Sequence, residues 1–322
     1  PNKTSEKALG GGAGVLRVED DILVFTLGKP SSSATTQPTQ TLPWGINRID
    51  AELVWPSGNN ADPVRVAIVD TGISATHPDL AANIKGGYNA INTTKSWNDD
   101  NGHGSHVAGI VAALNNSIGV IGVGPAVDLL AVKVLSRSGS GFTSDVIEGI
   151  QWAMNNNAQV INLSLGSSSG SQAMHDAIIA AYNAGVVIVA AAGNSGAAVG
   201  FPAAYPETIA VSATDSNNLL ASFSSRGPEI DLAAPGVSIL STYKGTGYAT
   251  LSGTSMAAPH VTGAVALVLN TPVGTYDVNG DGRWNPAEVQ KKLQDRATDL
   301  GISGFDNLYG WGLVNAYNAI QP

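Results

Sequence analysis

Three residue types at three places in the chain could together carry out nucleophilic chemistry. Asp70 closes the apolar run VRVAIVD and is followed by the turn-forming Thr71-Gly72. His103 sits in NGHGSHVAG, where flanking glycines allow close backbone approach and an apolar helix begins. Ser255 sits in GTSMAAPH, at the start of an Ala-rich apolar helix. A serine alcohol is barely ionised at neutral pH. It attacks a carbonyl only if a histidine takes its proton and a carboxylate orients and stabilises that histidine. A helix start adds backbone N–H groups and a dipole facing any oxyanion formed beside the hydroxyl. Taken singly, each residue has a plainer reading: a turn or cap aspartate, a packed structural histidine, a helix-capping serine. His106, three residues after His103, is read as a packed helix residue.

A second chemistry is written at 277–288, DVNGDGRWNPAE. It fits the D-x-[DN]-x-[DN]-G-x5-E loop at every required place: Asp277, Asn279, Asp281, Gly282 and Glu288. Oxygen ligands at alternate positions, a glycine for the sharp turn and a closing glutamate wrap a hard cation such as calcium, with the Arg283 carbonyl as a further ligand. The helix-like AEVQKKLQDRA follows, whereas Thr271 to Tyr276 is a spacer where an entering helix is expected. The alternative is an acidic turn with no ion.

These side chains need a frame to hold them. VRVAIVD (64–70), DLLAVKVL (128–135), AQVINLSL (158–165) and GVVIVAAAG (185–193) read as strands, rich in Val and Ile and poor in charge, as strands covered on both faces are. Between them fall helical stretches, His103 to Leu114, Thr143 to Asn155, Ser171 to Ala184 and Ser255 to Asn270. Alternation predicts an α/β fold, a mainly parallel sheet with helices on both faces and its chemistry at the C-terminal strand ends. Ahead of this body, residues 1–14 are polar and Gly-rich and SSSATTQPTQ (31–40) has a linker's composition. GVLRVEDDILVFTL between them reads as two short strands around Glu19-Asp20-Asp21, too small to hold a core alone. The expected division is an N-terminal extension, 1–39, and a main domain, 40–322.

Composition narrows the function classes. With 322 residues and 43% hydrophobic, the chain can bury a large core. Zero cysteines exclude disulfides, thiolate catalysis and Cys-ligated zinc. Twenty-five acidic against 16 basic side chains give a net charge of −9, the wrong sign for a phosphate-backbone binder and helpful to cations, so nucleic acid is not an expected partner. No apolar run of about 18 residues is available to span a bilayer. Pro1 to Gly10 lack the apolar stretch of a signal peptide, so any such segment lies upstream or was removed.

VDTGI around Asp70, HPDL at 77–80, NGHGSHVAG around His103 and GTSMAAPHVTG around Ser255 resemble the subtilisin family of serine peptidases, and the order Asp, His, Ser is that family's. The likeness runs from about Gln40 to the end. It implies a three-layer subtilisin-like fold and an extracellular, monomeric endopeptidase acting on proteins or peptides. In AAAGNSG, Asn194 matches the family's oxyanion-hole asparagine. Gly139-Ser140-Gly141 and Ser164-Leu165-Gly166 match the strands that flank an extended substrate. Gly200, in VGFP, matches the floor of the pocket for the residue before the cut, implying Phe, Tyr, Leu or Met there; Ser195 stands where some relatives carry an acid. LNNSIGV (114–120) matches the family's calcium loop. That match implies Asp79, Gln40, the Asn116 side chain and the Leu114, Ile118 and Val120 carbonyls as ligands, so that with 277–288 at least two calcium sites are expected. A third, from the Ala203 and Tyr205 carbonyls with Asp231, is not adopted. GVLRVEDDILVFTLGKP resembles the last strand of an inhibitory propeptide, with a cut after Leu27; the alternative is a mature extension packed on the surface.

Three other readings compete with this one. An α/β-hydrolase esterase is disfavoured because GTSMA lacks the last glycine of G-x-S-x-G, and a metallopeptidase because H-E-x-x-H is absent. A silent relative that binds peptides or calcium without cutting remains, to be separated by fluorophosphonate labelling of Ser255.

Overall fold

Buried Val- and Ile-rich runs need partners on both sides, and here they find them in one another. The computed structural model describes residues 15, 17–30 and 38–322. The strands are β1 Leu23–Thr26, β2 Lys29–Pro30, β3 Arg65–Asp70, β4 Ile84–Asn89, β5 Asp128–Lys133, β6 Ser140–Phe142, β7 Val160–Leu163, β8 Leu165–Gly166, β9 Val187–Ala191, β10 Thr208–Thr214, β11 Leu232–Pro235, β12 Ile239–Thr242 and β13 Tyr248–Ser252. The α-helices are α1 Trp44–Arg48, α2 His103–Ala112, α3 Thr143–Asn155, α4 Gln172–Asn183, α5 Thr254–Leu269, α6 Pro286–Asp295 and α7 Ala316–Ile320. Seven strands form one parallel sheet in the order β11-β10-β9-β7-β3-β5-β4.

Alternation along β3 shows the three layers. Val66 and Ile68 pack with Val107 and Val111 of α2 and with Val261 and Val265 of α5. Ala67 and Val69 face the other way, toward Val146 and Ile150 of α3 and Ile178 of α4. The order reverses about β3, which has β5 and β4 on one side and β7, β9, β10 and β11 on the other. Asp70 ends β3, opposite Lys133, at the carboxyl edge where open parallel sheets leave their crevice.

Several details differ from the expectation. Of the expected strand pair, β1 is the strand among the described residues, and the first expected strand falls partly on residues 14 and 16, outside them. Glu19 and Asp21 are instead spent on helix starts: Glu19 Oε2 accepts the Ser171 hydroxyl and the Gln172 and Ala173 N–H groups before and at the start of α4. Asp21 accepts the N–H and hydroxyl of Ser144 in α3. Carboxylates there satisfy donors that have no partner inside the helix. The expected strand 158–165 breaks at Ser164, so that β8 resumes in a second sheet. β4 and β10–β13 lie outside the expected strands: IKGGYN is interrupted by glycine, β11, β12 and β13 have only four or five residues, and β10, TIAVSAT, is a seven-residue strand with Thr and Ser among its apolar residues. Among the described residues before Gln40, β1 lies antiparallel between β6 and β8, and β2 pairs with β13.

Candidate active site

Asp70 and His103 come together although 32 residues separate them, because β3 ends beside the start of α2. His103 Nδ1 lies 2.9 Å from both Asp70 carboxylate oxygens, with both side chains buried. Two acceptors facing Nδ1 require the proton there and leave the lone pair on Nε2. His103 Nε2 is buried and has no hydrogen-bond partner among the described residues. Ser255, on the first turn of α5, does not point its hydroxyl at that nitrogen: Oγ donates to the Ser164 carbonyl at 2.8 Å and accepts the Leu27 N–H at 3.0 Å. Pro259 explains part of the local order. Lacking an N–H, it leaves the Ser255 carbonyl without its helical donor, and the Ser164 hydroxyl supplies one at 3.0 Å.

The Leu27 carbonyl lies beside the start of α5. It accepts Asn194 Nδ2–H at 2.5 Å and the Ser255 N–H at 3.3 Å. Asn194 is aimed by Thr254, whose N–H and hydroxyl both donate to Oδ1 at 2.9 Å, turning the amide nitrogen toward Leu27. Thr254 was missed from sequence, where it had no signal beyond adjacency to Ser255. Gly253 must lack a side chain, since a Cβ there would sit 2.0 Å from the Leu27 oxygen. Upstream, Leu23, Val24 and Phe25 pair with Phe142, Gly141 and Ser140, and Phe25 and Thr26 with Gly166 and Leu165. Gly139 lies just outside β6, and its carbonyl accepts the Thr26 N–H. The Leu27 side chain lies against Gly166, beside a cavity of about 830 Å³ that Gly193, Val199 and Gly200 help to line.

The chain matches the Subtilase family over residues 61–312. It is 50% identical to Subtilisin Savinase of Lederbergia lenta over 283 residues, 88% of this chain and 100% of that one. It is 50% identical to an alkaline protease of Shouchella clausii over 287 residues, 89% of this chain and 72% of that one. A thermostable alkaline protease of Halalkalibacterium halodurans is 49% identical over 284 residues, 88% and 74%. This chain is a subtilase. It is a serine endopeptidase of the subtilisin type.

The other expected residues of this subtilase fall into three groups. The first gathers at one loop. Asp79 is fully buried, and its carboxylate accepts Asn116 Nδ2–H at 2.8 Å, the Val120 N–H at 3.0 Å and the Tyr248 hydroxyl at 3.2 Å. Gln40 Nε2 donates to the Leu114 carbonyl, and Thr39 bridges to Ile118. All the donors are neutral, and burial raises the Asp79 pKa. A buried carboxylate surrounded by oxygen-bearing groups, with no cationic side chain paired to it among the described residues, suits a bound calcium ion.

The second group is the 277–288 loop. Asp277 accepts the N–H groups of Gly280, Asp281 and Gly282, and Asp281 accepts that of Arg283. Asn279 donates to Asp281, and Glu288 accepts from Val278 and from Asn285 in the cap of α6. The donor set is all oxygen from a single turn, which suits a hard cation. Among the described residues, however, no three acidic or histidine side chains converge at metal-binding distance. Within the Thr271 to Tyr276 spacer, Gly274–Tyr276 is a single 3-10 turn. The third group is the set not adopted: Asp231 accepts from the Ala210 N–H and from Gln290 and Gln294 of α6, and the Ala203 and Tyr205 carbonyls accept the Thr208 hydroxyl.

Two further histidines are bystanders. His106 Nε2 faces the Ile239 and Ala249 carbonyls, and burial pushes its pKa down to about 3; burial likewise takes His260 down to about 4. Both stay neutral, so neither competes with His103 as the base.

Proposed function

We propose that Ser255, His103 and Asp70 cut peptide bonds after large apolar residues, and that the first bond cut is the chain's own Leu27–Gly28. The observation that carries this is the Leu27 carbonyl held between Asn194 Nδ2 and the Ser255 N–H, with β1 paired on both sides as an extended substrate pairs. Ser255 Oγ turns from the Ser164 carbonyl to His103 Nε2, gives up its proton there and attacks the carbonyl carbon. The oxyanion so formed keeps the Asn194 and Ser255 donors. Asp70 holds the imidazolium in orientation, and His103 hands the proton to the Gly28 nitrogen as it leaves. Water, activated by the same histidine, then frees Leu27 from the serine. The preference for a large apolar residue is supported by Leu27 against the glycine wall of the cavity. The released segment, still anchored through Glu19 and Asp21, acts as an inhibitor.

Calcium belongs to the same reading. Asp79, Gln40, Asn116 and the Leu114, Ile118 and Val120 carbonyls would hold one ion, and Asp277, Asn279, Asp281, Arg283 and Glu288 a second. Bound calcium supplies charge balance and a crosslink between loops, not chemistry at the peptide bond. An extracellular, monomeric enzyme follows from the family resemblance. No helix among the described residues is long and apolar enough to cross a membrane.

The test uses the full chain and its Ser255→Ala variant. The wild type is expected to yield a product beginning at Gly28, to take up a fluorophosphonate, and to hydrolyse a chromogenic peptide ending in Phe or Leu. The variant is expected to stay intact and unlabelled. A wild type that neither cuts nor labels would make the silent peptide-binding reading the right one.

A further inference from the structure

Asp99 is a carboxylate that the mechanism above does not use. It is 4% exposed, and among the described residues no lysine or arginine is paired with it. Its charge is met by five hydrogen bonds. Oδ1 accepts the Thr71 hydroxyl, the Asn101 N–H and the Gly102 N–H, each at 2.9 Å. Oδ2 accepts the Ser105 hydroxyl at 2.7 Å and the Ser105 N–H at 3.0 Å. A buried carboxylate with that many donors fixes each of them in direction.

The donors belong to the two segments that carry Asp70 and His103. Thr71 follows Asp70, and all its polar groups are committed. Its N–H donates to Asp70 Oδ1 at 2.6 Å, its carbonyl accepts from the buried Lys133 ammonium at 2.8 Å, and its hydroxyl, having given its proton to Asp99, accepts the Gly104 N–H at 2.9 Å. The first turn of α2 is held by the same group. The His103 N–H goes to Asn101 Oδ1, the Gly104 N–H to Thr71 and the Ser105 N–H to Asp99, so three donors with no partner inside the helix are satisfied from this cluster. One carboxylate thus ties the turn after Asp70 to the turn that bears His103.

We propose that Asp99 is a positioning residue, acting through the Thr71 hydroxyl to set the Asp70–His103 geometry. This deepens the reading of Asp70, His103 and Ser255 as the triad and rests on it. Small displacements of reacting groups are costly. An error of about 1 Å takes away on the order of 100-fold in rate.

The test compares Thr71→Val, which removes only the hydroxyl, with Thr71→Ser, which restores it, and with Asp99→Asn, whose amide nitrogen cannot accept at one of the two oxygen positions, so that either the Ser105 pair or the Thr71, Asn101 and Gly102 donors lose their acceptor. Fluorophosphonate titration counts competent sites, so that kcat is expressed per labelled serine and unfolded material drops out. Thr71→Val and Asp99→Asn are expected to lower kcat per site by about 10- to 100-fold while KM stays within about twofold. The acid limb of their pH profile is expected to move to lower pH, because a loosened Asp70 stabilises the imidazolium less. Thr71→Ser is expected to recover most of the rate. Variants that keep the wild-type kcat per site and pH profile, and lose only thermal stability, would overturn the proposal and leave the triad standing. If Asp99→Asn does not fold, Thr71→Val and Thr71→Ser decide the matter. A wild type that takes up no fluorophosphonate overturns the triad reading and this inference with it.

Discussion

Gly28 offers a direct way to test whether the Leu27–Gly28 bond is cut in the arrangement described. A Cβ built there lies 3.0 Å from His103 Nε2, 3.0 Å from Met256 Sδ and 3.1 Å from His103 Cδ2. The imidazole cannot yield without lengthening its two 2.9 Å contacts to Asp70. Met256 is fully buried and has little room to swing. Overpacking of this kind costs about 1–3 kcal/mol. If the cost falls on the attack geometry, Gly28→Val slows the self-cut by about 5- to 150-fold. Gly28→Ala is expected to lose less, and Met256→Ala added to Gly28→Val to recover part, because one of the two obstructing groups is gone. The assay follows the loss of full-length chain by mass spectrometry at dilutions where cutting between molecules is negligible. Cleavage of Gly28→Val at the wild-type rate would refute the reasoning, since the bond would then be cut in some other arrangement.

Asn194→Ala removes a donor to the Leu27 oxygen and is expected to lower kcat by about 10²–10³, the size already established for this donor in a subtilisin, with KM little changed; an unchanged kcat would remove Asn194 from the oxyanion site. Chelation is expected to lower the melting temperature of Ser255→Ala, which cannot digest itself, and calcium at about a thousandfold over its Kd to restore about 4 kcal/mol. Asp79→Asn should abolish most of that gain, and a melting curve indifferent to chelator would count against structural calcium. Burial raises the Asp231 pKa to about 6 from 3.8, against the pull of the Ala210, Gln290 and Gln294 donors. The folded state therefore holds this proton more tightly than the unfolded one. Its contribution to stability is full below pH 3.8 and is lost as the pH rises through about 6. The melting temperature of Asp231→Asn relative to wild type should accordingly climb between about pH 4 and about pH 7. A constant difference would show that Asp231 does not titrate there.

Much of this molecule is legible because its signals are local. Thr143–Asn155 is a helix over the span its periodicity predicts, and the strands at 65–70, 128–133 and 187–191 fall inside the apolar runs that announce them. Where the signal was weak the reading missed. IKGGYN gives a strand two glycines and no clean alternation, and Leu163 to Leu165 reads as continuous strand although Ser164 leaves the sheet there. Met256 and Thr254 flank the serine, and nothing in their type says that one walls the leaving side and the other aims Asn194.

The order of the candidate residues and the strand and helix ends on which they sit follow from hydrophobic period, turn chemistry and motif spacing. That Asp99 ties the turn after Asp70 to the turn bearing His103, that Glu19 and Asp21 cap two helices, and that the Leu27 carbonyl reaches Asn194 follow from the packed chain alone. These are contacts between groups far apart in the chain. Their existence depends on how the sheet orders its strands, and a one-dimensional pattern does not carry that order.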